Sequence, residues 1–214
     1  MKIFLIGFMG SGKTHWGRIW AQTNALDFYD LDEMIEKKEN RSITEIFEEL
    51  GENYFREKES TILRTFSEKD NFLLSCGGGA PCFYDNMQWM NDTGITIFLS
   101  LSAQDVFNRI SEEKDKRPLL KNLNPAEVLF YIEQKFKERE PFYGQAKFIL
   151  PVNKLDENSL TKLKTVLKPA RKPAQKMLSE KDVHSAVPKI KPTYKLKSIP
   201  KTETKPKIKP KTKP

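Results

Sequence analysis

Cysteine is nearly absent from this chain: Cys76 and Cys82 are the only two among 214 residues. Two are too few for a disulfide framework. Without a second cysteine pair or a nearby histidine they also make a poor zinc site, so both read as ordinary free thiols. No apolar stretch approaches the roughly 20 residues that a membrane helix needs, which argues against a membrane partner. The N-terminal segment lacks the basic start, apolar run and small-residue cleavage site of a secretory leader, so the expected location is the cytoplasm.

Charge, in contrast, is plentiful and unevenly spread. The net charge of +8 resembles that of a nucleic-acid binder until it is divided along the chain. Residues 168–214 hold 15 of the 37 basic residues and three of the 29 acids, leaving this segment near +12 and the remainder near −4. The basicity therefore belongs to the tail, and a polyanion partner is not expected for the rest. The tail is rich in Lys and Pro, a composition that cannot bury a core, and is expected to be disordered. A length of 214 residues suits one domain with chain left over, placed here as a domain over 1–167 and a basic tail over 168–214.

Lys2 to Ile6 is a short apolar run ending at a glycine, which reads as a buried strand of a parallel sheet. A glycine-rich loop follows, then a helical pattern from Lys13 to Ala21. Further strands are expected at Asp27 to Asp32, Phe72 to Ser75, Ile95 to Leu99 and Phe148 to Val152. Helices are expected at Glu33 to Glu39, from Ser42, at Glu52 to Glu68, at Ala103 to Ser111, from Asn124 and at Glu157 to Leu167. Ser42 with Glu45 has the capping-box spacing, Gly51 sits where a left-handed helix end is wanted, and Asn124-Pro125 is a favoured helix start. Glu112 to Leu123 is polar and without an apolar face, which suits a lid. Strands alternating with helices imply an α/β fold, a five-stranded parallel sheet with helices on both faces.

Gly7 to Thr14, GFMGSGKT, matches the P-loop pattern GxxxxGK[ST]. In such a loop the backbone N–H groups of Gly10, Ser11 and Gly12 wrap phosphates, the lysine (Lys13) reaches the outer oxygens and the hydroxyl (Thr14) serves Mg²⁺. The helix opening at Lys13 adds its positive end. Asp30 and Asp32, two apart on the expected strand, would face one way, one carboxylate for Mg²⁺ and the other for the attacking hydroxyl. A helix N-cap role for Asp32 fits the same spacing. Arg56 and Glu59 are three apart on a helix, and a solvated surface pair is the ordinary reading of that spacing. The triplet Gly77-Gly78-Gly79 lets backbone approach a ligand, or marks a turn. Arg117, within the lid, is placed to meet a transferring phosphoryl group, and Arg139 ends a helix; both equally fit surface cations.

In this order and spacing, GFMGSGKT, DLDEMIEKKENRSITEIFEELGENYFREKE, the glycine triplet, RPLL and REPFY resemble the signatures of shikimate kinases over residues 1 to about 165. The resemblance implies transfer of the γ-phosphate of ATP to the 3-hydroxyl of shikimate, a step toward chorismate and the aromatic amino acids. It implies one Mg²⁺ per subunit at Thr14 and Asp30, and Asp32 at the shikimate hydroxyls. Arg56, Gly78, Gly79 and Arg139 would enclose shikimate, the two guanidiniums gripping its carboxylate bidentately. Arg117 would meet the γ-phosphoryl and Arg109 would lie against adenine. His15 and Trp16 depart from the small or aliphatic residues usual after this P-loop, and the basic tail lies outside the family pattern.

Another small P-loop kinase, acting on gluconate or a nucleoside monophosphate, is the nearest alternative, since a P-loop does not name the acceptor. The arginine pair and glycine triplet favour shikimate. A second alternative makes the tail a nucleic-acid or acidic-surface binder, although Tyr194 is its one aromatic residue. No element offers a surplus apolar face, so a monomer is expected.

Overall fold

The computed structural model describes residues 1–110 and 123–167. Five strands, β1 (Lys2–Ile6), β2 (Asp27–Asp30), β3 (Phe72–Ser75), β4 (Ile95–Ser100) and β5 (Phe148–Pro151), form one sheet in the order β2-β3-β1-β4-β5. Every pairing is parallel. Successive strands therefore need crossovers, and seven helices among the described residues lie in them: α1 (Lys13–Thr23), α2 (Leu31–Glu39), α3 (Ile43–Glu49), α4 (Gly51–Arg64), α5 (Asn86–Thr93), α6 (Ala103–Ile110) and α7 (Pro125–Tyr143); α8 (Ser159–Leu167) follows the last strand.

The pleat of β1 divides the core in two. Phe4 and Ile6 face one layer with Ile35, Phe55, Leu63, Met90 and Ile132, whereas Ile3 and Leu5 face the other with Trp20, Leu99 and Leu160. Trp16 joins this second layer beside Trp20, ring centroids 5.9 Å apart, so its large ring is absorbed by packing, whereas His15 is exposed and lines the cleft described below. Trp20 is fully buried and its indole N–H donates to the Asp156 carbonyl at 2.9 Å, fastening α1 to the segment before α8.

The expected capping box of Ser42 with Glu45 opens α3, and Asn124, the expected helix start, opens α7 with a second box made with Glu127. Gly51 has φ +81°, the left-handed conformation expected there, but it starts α4 directly instead of a loop.

Three expectations are corrected. The second strand stops at Asp30, and Asp32 lies in the first turn of α2. The N-cap is Asp30, whose Oδ1 accepts from the Asp32 N–H at 3.1 Å. Arg139 does not end its helix: α7 continues through Pro141 to Tyr143. The buried Tyr143 ring, stacked on Phe98 at 4.8 Å, holds that last turn in place despite the proline. Finally, α5 and the 3-10 turn Ala80–Cys82 fill a stretch where no periodicity points to an element. The expected lid, apart from Leu123, and the tail over 168–214 lie outside the described residues, and Arg117 with them.

Candidate active site

In a parallel sheet all strand ends of one kind share an edge, and ligands bind outside the carboxyl edge where the strand order reverses. β1 runs there into the P-loop, β2 ends in Asp30, and β3 runs through Ser75 into the glycine triplet. Segments roughly 20 to 70 residues apart in sequence therefore meet at one crevice.

The crevice has two compartments. A cleft of about 650 Å³ is lined by Gly10, Gly12, Lys13, Thr14, His15, Asp30, Asp32, Gly78 and Arg109, among others. A smaller one of about 180 Å³ is lined by Asp32, Phe47, Phe55, Arg56, Glu59, the three glycines and Arg139. Met9, Asp32 and Gly78 line both, so the two adjoin at Asp32.

In the larger compartment Gly10 and Gly12 have φ +74° and +82°, values that let the loop curl so that its N–H groups converge. Gly12 is the N-cap of α1 and offers no side chain to the free N–H groups, leaving the positive helix end open to an anion. The ammonium of Lys13 donates to the carbonyls of Gly7 and Phe8, both at 2.9 Å. Burial lowers its pKa to about 8, against the pull of Asp32 and Asp30. Thr14 Oγ1 donates to Asp30 Oδ2 at 2.7 Å. Ser11 is fully buried, and its hydroxyl has no hydrogen-bond partner among the described residues. Arg109 reaches over the loop from α6, Nη1 donating to the Gly10 carbonyl at 3.3 Å.

The smaller compartment is where the expected surface pair turns out to be buried. Arg56 Nη1 meets Glu59 Oε2 at 2.7 Å, with the Glu59 side chain fully buried and that of Arg56 8% exposed. The isolated-helix reading misses this because α4 packs against other parts of the fold on that side. Aromatic rings of Phe83 and Phe55 lie 4.7 and 4.9 Å from the guanidinium carbon. Burial lowers the Arg56 pKa, and Glu59 with Glu52 more than offsets that, so the net direction is up. Burial pushes the Glu59 carboxyl up to about 7, against the pull of Arg56. Since the guanidinium stays charged at any ordinary pH, the carboxyl is the partner that titrates.

Arg139 enters from α7, its guanidinium carbon 5.1 Å from the Phe8 ring, and it forms no ion pair with a carboxylate among the described residues. The Tyr143 hydroxyl, one turn on, donates to the Gly78 carbonyl at 2.6 Å. Each glycine of the triplet makes room for a functional atom. A Cβ on Gly77 would lie 2.5 Å from Glu59 Oε1 and 2.9 Å from Asp32 Oδ1; one on Gly79 would lie 2.5 Å from Arg56 Nη2; one on Gly78, 3.2 Å from Arg139 Nη1. The Asp32 carboxyl is pushed up to about 6 by burial and Asp30, with Lys13 pulling it down. Its Oδ1 and Glu59 Oε1 are buried and lack hydrogen-bond partners among the described residues. Buried polar atoms left open in a cleft between cations are what a polar ligand would satisfy.

A family model described as shikimate kinase matches residues 9–168. A shikimate kinase of Bacteroides thetaiotaomicron is 40% identical over 173 residues, covering 78% of this chain and 99% of the relative. The chain belongs to the shikimate kinase family.

Solved shikimate kinases share its fold. The crystal structure of the enzyme from Bacteroides thetaiotaomicron superposes with a TM-score of 0.73 at 40% identity, covering 79% of this chain and 99% of that one. A shikimate kinase from Acinetobacter baumannii in complex with shikimate gives 0.68 at 32% identity, covering 78% and 92%. Of the residues that the family resemblance singles out, Gly10, Gly12, Lys13, Thr14, Asp30, Asp32 and Arg109 line the larger compartment, and Asp32, Arg56, Gly78, Gly79 and Arg139 the smaller. Ser11 lies buried beneath the loop. Sequence reasoning does not single out Phe47 and Phe55 as wall residues, Phe83 as a ring against the Arg56 guanidinium, or Glu59 as a pocket carboxylate. Phe55 carries only a core signal in sequence, whereas the i,i+3 spacing of Glu59 to Arg56 is a visible hint.

Proposed function

We propose that this chain transfers the γ-phosphoryl group of ATP to the 3-hydroxyl of shikimate. The observation that carries the reading is the junction at Asp32. A carboxylate oxygen with no hydrogen-bond partner among the described residues stands between a P-loop compartment and a compartment with two arginines.

In this reading the P-loop N–H groups and Lys13 hold the phosphates, and Lys13 exchanges its bonds to Gly7 and Phe8 for phosphate oxygens. Arg109 lies against the adenine. Thr14 and Asp30 supply the hard oxygen donors of a single Mg²⁺ site; their 2.7 Å approach fits an ion that takes few protein ligands and fills its shell with water and phosphate. When bound, that ion offsets charge on the β- and γ-oxygens.

Arg56 and Arg139 fix the carboxylate of shikimate, and Gly78 and Gly79 let the ring approach the backbone. Asp32 accepts the hydrogen bond of the attacking hydroxyl, orienting its oxygen toward the γ-phosphorus, and takes its proton as the new P–O bond forms and the bond from the γ-phosphorus to the β,γ-bridging oxygen breaks, ADP leaving with that oxygen. Arg117 supplies positive charge to the phosphoryl group in flight. A pKa raised to about 6 leaves Asp32 ionised at neutral pH yet more basic than an ordinary carboxylate.

The reaction needs residues 1–167 alone in this reading, with the basic tail accessory. A monomer in the cytoplasm fits ATP as co-substrate and the two free thiols. No described helix is long and apolar enough to cross a membrane. The test is ADP release with ATP and Mg²⁺, comparing shikimate, gluconate and a nucleoside monophosphate. Turnover with shikimate alone is expected; turnover with either alternative, or none with shikimate, overturns the reading.

A further inference from the structure

Arg56 shares a stripe of α4 with Ser60 and Arg64, four and eight residues on. Both of these reach the same atom. Ser60 Oγ and Arg64 Nη1 each donate to Asn86 Oδ1 at 2.9 Å. From its other end Asn86 Nδ2 donates to the carbonyl of Ala80 at 2.9 Å. Ala80 directly follows the glycine triplet, and its own N–H donates to the Gly77 carbonyl at 3.0 Å.

Asn86 is fully buried at the start of α5, so these three bonds satisfy an amide that would otherwise be costly there. The chain leading to it is unusual. Tyr84 and Asp85 are two successive non-glycine residues at positive φ, +48° and +54°, a conformation that persists where surroundings impose it. Arg64 helps to impose it, since Nη2 donates to the Tyr84 carbonyl at 2.8 Å while the guanidinium carbon lies 4.7 Å from the Trp89 ring. Phe83, just before this kink, is the ring 4.7 Å from the Arg56 guanidinium carbon.

One buried amide thus joins the two walls of the smaller compartment, the helix that carries Arg56 and the glycine turn that faces it. We propose that Asn86, with Arg64, is a positioning clamp for the acceptor pocket: it sets the gap between α4 and the glycine turn and seats Phe83, so that Arg56 is held where it grips the acceptor's carboxylate. The inference rests on the reading of Arg56 as a carboxylate ligand. None of Ser60, Arg64, Ala80 and Asn86 lines the P-loop compartment, so the clamp acts on the acceptor and not on ATP.

The test compares full-length wild type with Asn86→Ala, Arg64→Met and Arg56→Ala, reading KM for shikimate and for ATP separately, together with the melting temperature. Arg64 is partly exposed, so its variant tests the clamp even if Asn86→Ala fails to fold. A buried hydrogen bond lost from the clamp should raise the shikimate KM about tenfold, with the ATP KM held within about twofold. Two results overturn the clamp while leaving the carboxylate reading intact: a raised shikimate KM in Arg56→Ala but not in Arg64→Met, or KM values for both substrates rising together as the melting temperature falls. An unchanged shikimate KM in Arg56→Ala removes the carboxylate reading itself, and the clamp with it.

Discussion

The hydroxyl of Thr14 donates to Oδ2 of Asp30 across 2.7 Å, tying the first turn of α1 to the last residue of β2. That contact joins two chain segments at the point where a hard cation would be shared with phosphate. Asp30→Ala should lower kcat with Mg²⁺ and ATP by about 100-fold or more, a loss typical of removing charge stabilisation at the transferring group. Nucleotide binding in the absence of Mg²⁺ should hardly change. Titration of ATP with and without Mg²⁺ separates the two, and equal losses in both conditions would count against a metal role.

Arg139 is the cleaner of the two arginines to test, because among the described residues it has no carboxylate partner such as Arg56 has. Arg139→Ala should raise the shikimate KM roughly 10- to 150-fold, the range for one charged hydrogen bond, and leave the ATP KM nearly unchanged. Arg56→Ala should additionally lower stability, and more so above about pH 7, since the buried Glu59 carboxyl loses the cation that lets it ionise there. Denaturant unfolding of the two variants distinguishes them.

At Gly79 the obstacle is steric and not conformational, since its φ is an ordinary −89°. Gly79→Ala would place a methyl group 2.5 Å from Arg56 Nη2, and Arg56 is held by Glu59 and Glu52. The arginine has to yield, so the variant should fold and bind ATP yet lose shikimate affinity by about tenfold or more. A shikimate KM equal to that of wild type would show that the guanidinium is free to shift without consequence.

Glu59 gives the ligand-free protein a pH dependence of definite sign. Its carboxyl titrates near 7 when folded and near 4.5 when unfolded, so between these values the folded state binds more protons. Stability is then fully present below about pH 4.5 and declines as pH rises through 7, by a total of about 3–4 kcal/mol. Glu59→Gln should reduce that slope, leaving the smaller part that Asp32, raised to about 6, contributes with the same sign. Urea unfolding at pH 5 and 7.5 reads it directly, and an equal slope in the variant would assign it to another group.

A chain ending at Leu167 should match the full-length protein in kcat and in both KM values, because no motif of the reaction lies beyond it. Lost activity would contradict the boundary. Unchanged kinetics with weaker retention on a polyanion resin would assign the tail to adhesion alone.

Much of this was legible from local signals. GFMGSGKT needs a strand before it and a helix after it, and both are read from apolar runs and glycine positions a few residues away. The Ser42 capping box, the Asn124-Pro125 start and Gly51 are equally local, because a helix end is signalled by residues within one turn. Asp32 was harder: at two residues from Asp30 either a pleat or a helix turn fits, and the N-cap bond from Asp32 N–H to Asp30 decides for the helix. α5 and the turn before it gave no signal, for Asn86 earns its burial from Ser60, Arg64 and Ala80, none of them adjacent in sequence.

The sequence by itself determined the alternation of strands and helices, the phosphate loop and the family signatures, since each depends on residues within a turn or two of one another. Only the tertiary structure decided that Arg56 and Glu59 are a buried pair and not a surface one. It alone decided that Asp32 stands where two compartments meet, and that Asn86 bridges the walls of one of them. Burial and convergence depend on which strand ends share an edge of the sheet, and that is set by packing between segments far apart in the chain.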